Sequence, residues 1–251
     1  MATFTNFATI LPSPTYQIGD AGQADGESGA NTSGPGYASV TLSSSEKILK
    51  NRTNSGRYIS RSATSQFWKI DISYNPMTRA QFNPIQTFLM SKRGGLIPFY
   101  VSLPQYETLQ DTTFNAATAF YNALSPATTV SAGESSMIVG ATSYAPTTTH
   151  KTPLPGDVFT VSDSNDSNHQ KAYMVTGVET PDLLQSTTTL TANQIKIHFS
   201  PQMQKLTSTS ANLIFKGENS VFKVVQSKDV VEYSLGTNNL YNFSLSLEEV
   251  Q

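Results

Sequence analysis

The chain has 251 residues, of which only 14% are charged, a net charge of −2 and no cysteine. That excludes disulfides, thiolate catalysis and zinc–thiolate sites, and gives no electrostatic reason to expect specific nucleic-acid binding. No run of about 18 apolar residues occurs, so no membrane span is implied.

The start MATFTNFATILPSP lacks the basic region and continuous apolar core of a secretory signal. Residues 1–45 read as an extended N-terminal arm. Residues 19–39, GDAGQADGESGANTSGPGYAS, carry almost no apolar side chain and cannot offset their own ordering entropy. The arm does hold apolar anchors at Phe4, Phe7, Ile10 and Leu11, which could dock against another chain.

From Glu46 the chain becomes strand-like, with Ile48-Leu49 and Tyr58-Ile59 flanking a turn at Asn51 to Gly56. Trp68, Ile70, Ile72 and Tyr74 then alternate with polar residues, as in a strand with one buried and one wet face. A helix is predicted over 78–93. Thr78 and Gln81 stand at capping-box spacing, Phe82, Ile85, Phe88 and Leu89 form one stripe, and Gly94 suits a left-handed cap. Pro84 removes a donor just past its first turn. Phe99, Val101 and Leu103 mark the next strand.

Residues 105–132 read as a connector with a short helix near Ala116 to Leu124. Short strands follow at Met137–Val139, Val158–Val161, Ala172–Val175 and Ile195–Phe199, so 133–216 reads as an inserted β-module, a small barrel or sandwich. The closing strand Tyr241, Phe243, Leu245, Leu247 alternates strictly, which fixes its register against the earlier core strands. The predicted fold is therefore mainly β with one packed amphipathic α-helix: a β-sandwich-like core (46–132 and 217–251) around the inserted module. Trp68, Ile70, Ile72, Phe82, Phe88, Phe243 and Leu245 are its predicted core.

Catalytic chemistry finds no support. His150, His169 and His198 are scattered without a second ligand at metal spacing, and no nucleophile elbow, phosphate loop or dinucleotide fingerprint occurs. Asp163, Asn165, Asp166 and Asn168 depart from the calcium-loop pattern and read as a polar hairpin tip. Glu248-Glu249 reads as a solvated pair near a chain end. No catalytic, cofactor-binding or metal residue is assigned.

One stretch carries a resemblance. Trp68 to Phe82, WKIDISYNPMTRAQF, followed by FLMSKRG and FYVSLP, resembles structural proteins of the tail tip and baseplate of tailed phages. SGRYISRS (55–62), PGDVFTV (155–161), KAYMVTGV (171–178) and the ending VVEYSLGTNNLYNFSLSLEEV resemble the same family in order. The resemblance implies a non-enzymatic structural component of the virion tail, similar to distal tail or tube-initiating proteins. It would assemble in the host cytoplasm as a homo-oligomeric ring, a hexamer in such families, that joins the tube to the baseplate and touches other tail proteins. The alternative is a host-receptor or carbohydrate-binding β-module, which would need exposed aromatics beside polar groups on 133–216. A cell-wall hydrolase would need paired carboxylates or a metal triad.

Overall fold

The computed structural model describes residues 10–12, 36–166, 169–182, 189–215, 222–228, 232–236 and 238–250. The chain forms two compact units, Met1–Ser102 with Lys223–Val250, and Leu103–Phe222. Both are built mainly from strands.

The first unit is one sheet with a helix. Its strands are β1 (Tyr37–Arg52), β2 (Tyr58–Tyr74), β3 (Phe99–Val101), β10 (Phe222–Gln226, whose first residue lies at the unit boundary), β11 (Tyr233–Leu235) and β12 (Tyr241–Glu249). The order across the sheet is β1-β2-β12-β10-β3, with β11 also paired to β12. Strict alternation in both β2 and β12 sets the register, so Leu245 pairs with Ile72 and Leu247 with Ile70. The predicted core residues Trp68, Ile70, Ile72, Phe82, Phe88, Phe243 and Leu245 are all buried in this unit.

Helix α1 (Arg79–Ser91) buries Phe82, Ile85, Phe88 and Leu89. Phe82 stacks on Tyr241 at 4.7 Å and meets Phe243 edge-on, while Phe88 meets Phe99 edge-on at 5.3 Å. The stripe therefore seats the helix on β12 and β3. The capping box forms as expected: the Gln81 side-chain oxygen accepts the Thr78 N–H at 3.1 Å, and the Thr78 side chain faces the Gln81 backbone N–H. Pro84 lies inside the helix, and the Thr87 hydroxyl donates to the carbonyls of Asn83 and Pro84. The left-handed exit begins one residue before the expected glycine, at Arg93 (φ 53), and continues at Gly94 (φ 66). Lys92 is buried with Nζ 4.8 Å from the Phe88 ring centre, and burial lowers its pKa.

The second unit is a nearly closed barrel. Its strands are β4 (Ser125–Pro126), β5 (Ser136–Gly140), β6 (Val158–Ser162), β7 (Ala172–Glu179), β8 (Gln194–Ser200) and β9 (Asn212–Ile214), in the order β4-β5-β8-β7-β6-β9. The Leu213 N–H donates to the Leu124 carbonyl at 2.9 Å, and the Ser125 hydroxyl meets Asn212 Oδ1, which brings β9 back to β4. The stretch read as a connector is part of this barrel. A short helix α2 (Thr112–Ala116), capped by Asp111, puts Phe114 inside, and Leu124 and Val130 join the same core. Three apolar residues without a period left no signal in the sequence.

A candidate assembly surface

Strands β1 and β2 form an antiparallel hairpin of 16 and 17 residues. Its root lies in the sheet, where Val40, Leu42 and Ser44 pair with Ile72, Ile70 and Trp68. The neighbour of β2 ends there. Glu248 pairs with Lys69 as the last rung of β12, and the next donor on β2, the Trp68 N–H, is taken by the Glu249 carboxylate at 3.2 Å. Glu249 is buried, contrary to its reading as a solvated carboxylate near the chain end. A buried backbone donor at a ladder's end needs an acceptor, and this side chain supplies it.

Beyond that point no other strand among the described residues pairs with the hairpin. The register becomes irregular between Glu46 and Ile48. It then resumes through Ile48↔Ser62 to Arg52↔Tyr58, and a tight turn closes it where the Thr53 N–H donates to the Arg57 carbonyl and Gly56 takes φ 84. Every residue from 46 to 61 is exposed. Four are large and apolar: Ile48 (41% exposed), Leu49 (59%), Tyr58 (55%) and Ile59 (51%). The pairing puts Ile48 and Tyr58 on one face, and Leu49 and Ile59 on the other. A lone two-stranded ribbon is marginal in water. This one displays apolar side chains on both faces, so its stable setting is against another surface.

The ribbon is also basic. Residues 46–61 hold Lys47, Lys50, Arg52, Arg57 and Arg61 against one acid, Glu46, a net +4 on a chain whose total is −2. The whole-chain balance hid this cluster. Apolar residues between the cations fit a protein surface better than a phosphate backbone, whose interfaces are more polar.

The sheet has two further openings, at its edges. β1 bounds one side and β3 the other. The β3 edge carries part of the arm: Ile10 bridges Tyr100 in parallel, and the Leu11 N–H donates to the Tyr100 carbonyl at 2.8 Å. Leu11 is fully buried and Ile10 half-buried. Phe4 and Phe7 lie outside the described residues.

The polar clusters of the second unit are structural in their geometry. Asp163 accepts the Asn165 N–H, the Ser208 N–H and the Ser208 hydroxyl, each at 2.9 Å, and so ties the turn after β6 to the loop before β9. Burial opposes its ionisation, but these bonds outweigh burial and lower its pKa. Asp166 pairs with Lys205 at 3.1 Å. Asn168 lies outside the described residues. His169 is buried, with Nε2 2.8 Å from the Tyr173 hydroxyl, and desolvation pushes its pKa down to about 4. His198 meets Glu179 at 2.6 Å, and His150 Nδ1 accepts the Ala145 N–H. The three histidines are held apart on separate elements. Among the described residues, no three His, Asp or Glu side chains gather where they could hold a metal.

Residues 27–106 match the sequence model of a protein family described as distal tail protein pb9, A domain, N-terminal. The resemblance of this chain is to the distal tail proteins of tailed phages. The matched stretch contains β1, β2, α1 and β3, and therefore the whole hairpin. A comparison with curated proteins gives no match. The distal-tail match supports a structural component of the phage tail, located in the virion tail and in contact with other tail proteins. Among the described residues, no helix is long and apolar enough to cross a membrane.

Proposed function

We propose that this protein is a non-enzymatic ring subunit at the end of a phage tail, joining the tube to the baseplate as a homo-oligomer, with six copies as in the families it resembles. The observation that carries this reading is the outer half of the β1–β2 hairpin, which is exposed on both faces and, among the described residues, is paired by no other strand. A sheet bounded by β1 at one end and, at the other, by a β3 edge that carries the short Ile10–Leu11 contact suits head-to-tail contacts, which close into a ring when the rotation allows. In this reading the arm residues Phe4, Phe7, Ile10 and Leu11 add contacts between copies, and residues 133–216 belong to a module inserted into the β-rich core. Assembly takes place in the host cytoplasm. No step calls for a cofactor or a metal.

The receptor-binding alternative lacks a supporting observation. Among the described residues of the second unit, the exposed large hydrophobic side chains are Leu154 and Leu206, neither aromatic. Native mass spectrometry of the protein, alone and with the tube protein, tests the proposal. A closed oligomer, or one formed on addition of the tube protein, is the expected result. A chain that stays monomeric beside every tail component overturns it.

A further inference from the structure

We infer that the segment Ile10–Pro12, which lies on the β3 edge of its own sheet, is exchanged between copies in the assembled ring, each copy lending it to the β3 edge of its neighbour. This rests on the ring reading above and names the contact that would lock it. The docking contact is small and self-contained: one parallel bridge from Ile10 to Tyr100, one hydrogen bond from the Leu11 N–H, and the fully buried Leu11 side chain. Any copy's β3 offers the same contact. What differs is the distance to be spanned.

The chain passes from Pro12 at the β3 edge to Tyr37 at the start of β1, and β1 and β3 stand at opposite edges of the sheet. Within one copy that is four strand spacings, roughly 20 Å, plus one more to the docked segment. In a head-to-tail ring the β1 edge of one copy faces the β3 edge of the next. The nearest β3 to the start of β1 is then the neighbour's, one or two spacings away, about 5–10 Å. The 23 residues from 13 to 35 can reach either, since their extended length is at most about 80 Å. Ring closure therefore turns a long return within one copy into a short step between two. Exchange of identical elements keeps every contact and adds a connection between subunits.

The absence of cysteine makes the test clean. Ile10 and Tyr100 are paired and only half-buried, so Ile10→Cys and Tyr100→Cys place two thiols at strand-pair distance without emptying the core. The two single variants, carrying tags of different mass, are co-expressed, assembled and oxidised, and the same sample is weighed by native mass spectrometry. Exchange predicts a covalent dimer containing both tags, and a ladder of linked chains from the double variant. Closed rings in which the double variant links only within single chains, with no mixed dimer from the singles, overturn the exchange and leave the ring reading standing. A sample that is monomeric throughout overturns both. Should the cysteine variants fold poorly, a chain lacking residues 1–12 gives a second readout. Exchange predicts that it lowers ring stability in proportion to its share of a mixture with the intact chain, and rings as stable as the wild type at every ratio overturn it.

Discussion

Replacing the four exposed apolar residues of the hairpin end, as Ile48→Thr, Leu49→Thr, Tyr58→Thr and Ile59→Thr together, should abolish assembly and leave the single chain folded. Threonine keeps strand propensity. Fully burying such a side chain contributes about 1.5–3 kcal/mol. Each is already about half covered, so docking has roughly half of that left to gain per residue. The four together come to about 3–6 kcal/mol per interface, a factor of roughly 10²–10⁴ in the association constant. The folded chain should barely notice, because exposed positions usually tolerate substitution within about 0.5 kcal/mol each. Sedimentation velocity across a concentration series reads the first effect, and calorimetry at a concentration where the wild type is dissociated reads the second. Assembly at the wild-type concentration would refute the docking role. A large fall in Tm would also refute it, since the hairpin end would then be stabilising its own chain.

Trp68→Ala empties a buried site on β2 and should cost about 3–5 kcal/mol, measured by urea unfolding of the whole chain. Glu249→Ala leaves the Trp68 N–H without its acceptor and should cost about 1–3 kcal/mol, with Glu249→Gln recovering much of the loss because its amide oxygen still accepts. Acid should destabilise the barrel in two stages. His169 titrates near 4 when folded, against about 6.5 when unfolded, so the unfolded chain binds more protons between those values. Stability is therefore complete above about pH 6.5 and falls by at most about 3 kcal/mol on the way to pH 4. Asp163, whose folded pKa is lowered, adds its loss at still lower pH. His169→Gln should flatten the first stage in a Tm-against-pH series, and an unchanged slope would show that His169 is not its source. Asp163→Ala should loosen the tie to Ser208, lower Tm and release no bound metal by elemental analysis.

The β2–α1–β3 region was legible because each element carries its own period. Alternation from Trp68 to Tyr74, the stripe from Phe82 to Leu89, and Phe99, Val101 and Leu103 are local signals that burial obeyed. The hairpin was legible as a turn between two strand-like flanks, but not in its length, since β1 already starts at Tyr37. From 46 to 62 no face is apolar, so alternation cannot report that the strands run on well past the sheet. The basic cluster vanished into a whole-chain charge near zero. Glu249 was misread because sequence offers solvent as the default for a carboxylate near a chain end. Only pairing reveals that β12 stops one rung short of the Trp68 donor. Phe114, Leu124 and Val130 were missed because they come from a helix of one turn and two isolated bridges, which share no period.

A cryo-electron microscopy reconstruction of the intact tail tip tests the central claim most directly. Copies of the first unit should repeat around the tail axis between tube and baseplate, with the hairpin ends at Ile48–Ile59 buried against adjacent subunits. Single copies on peripheral fibres, or a ring whose hairpin ends project into solvent, would contradict it.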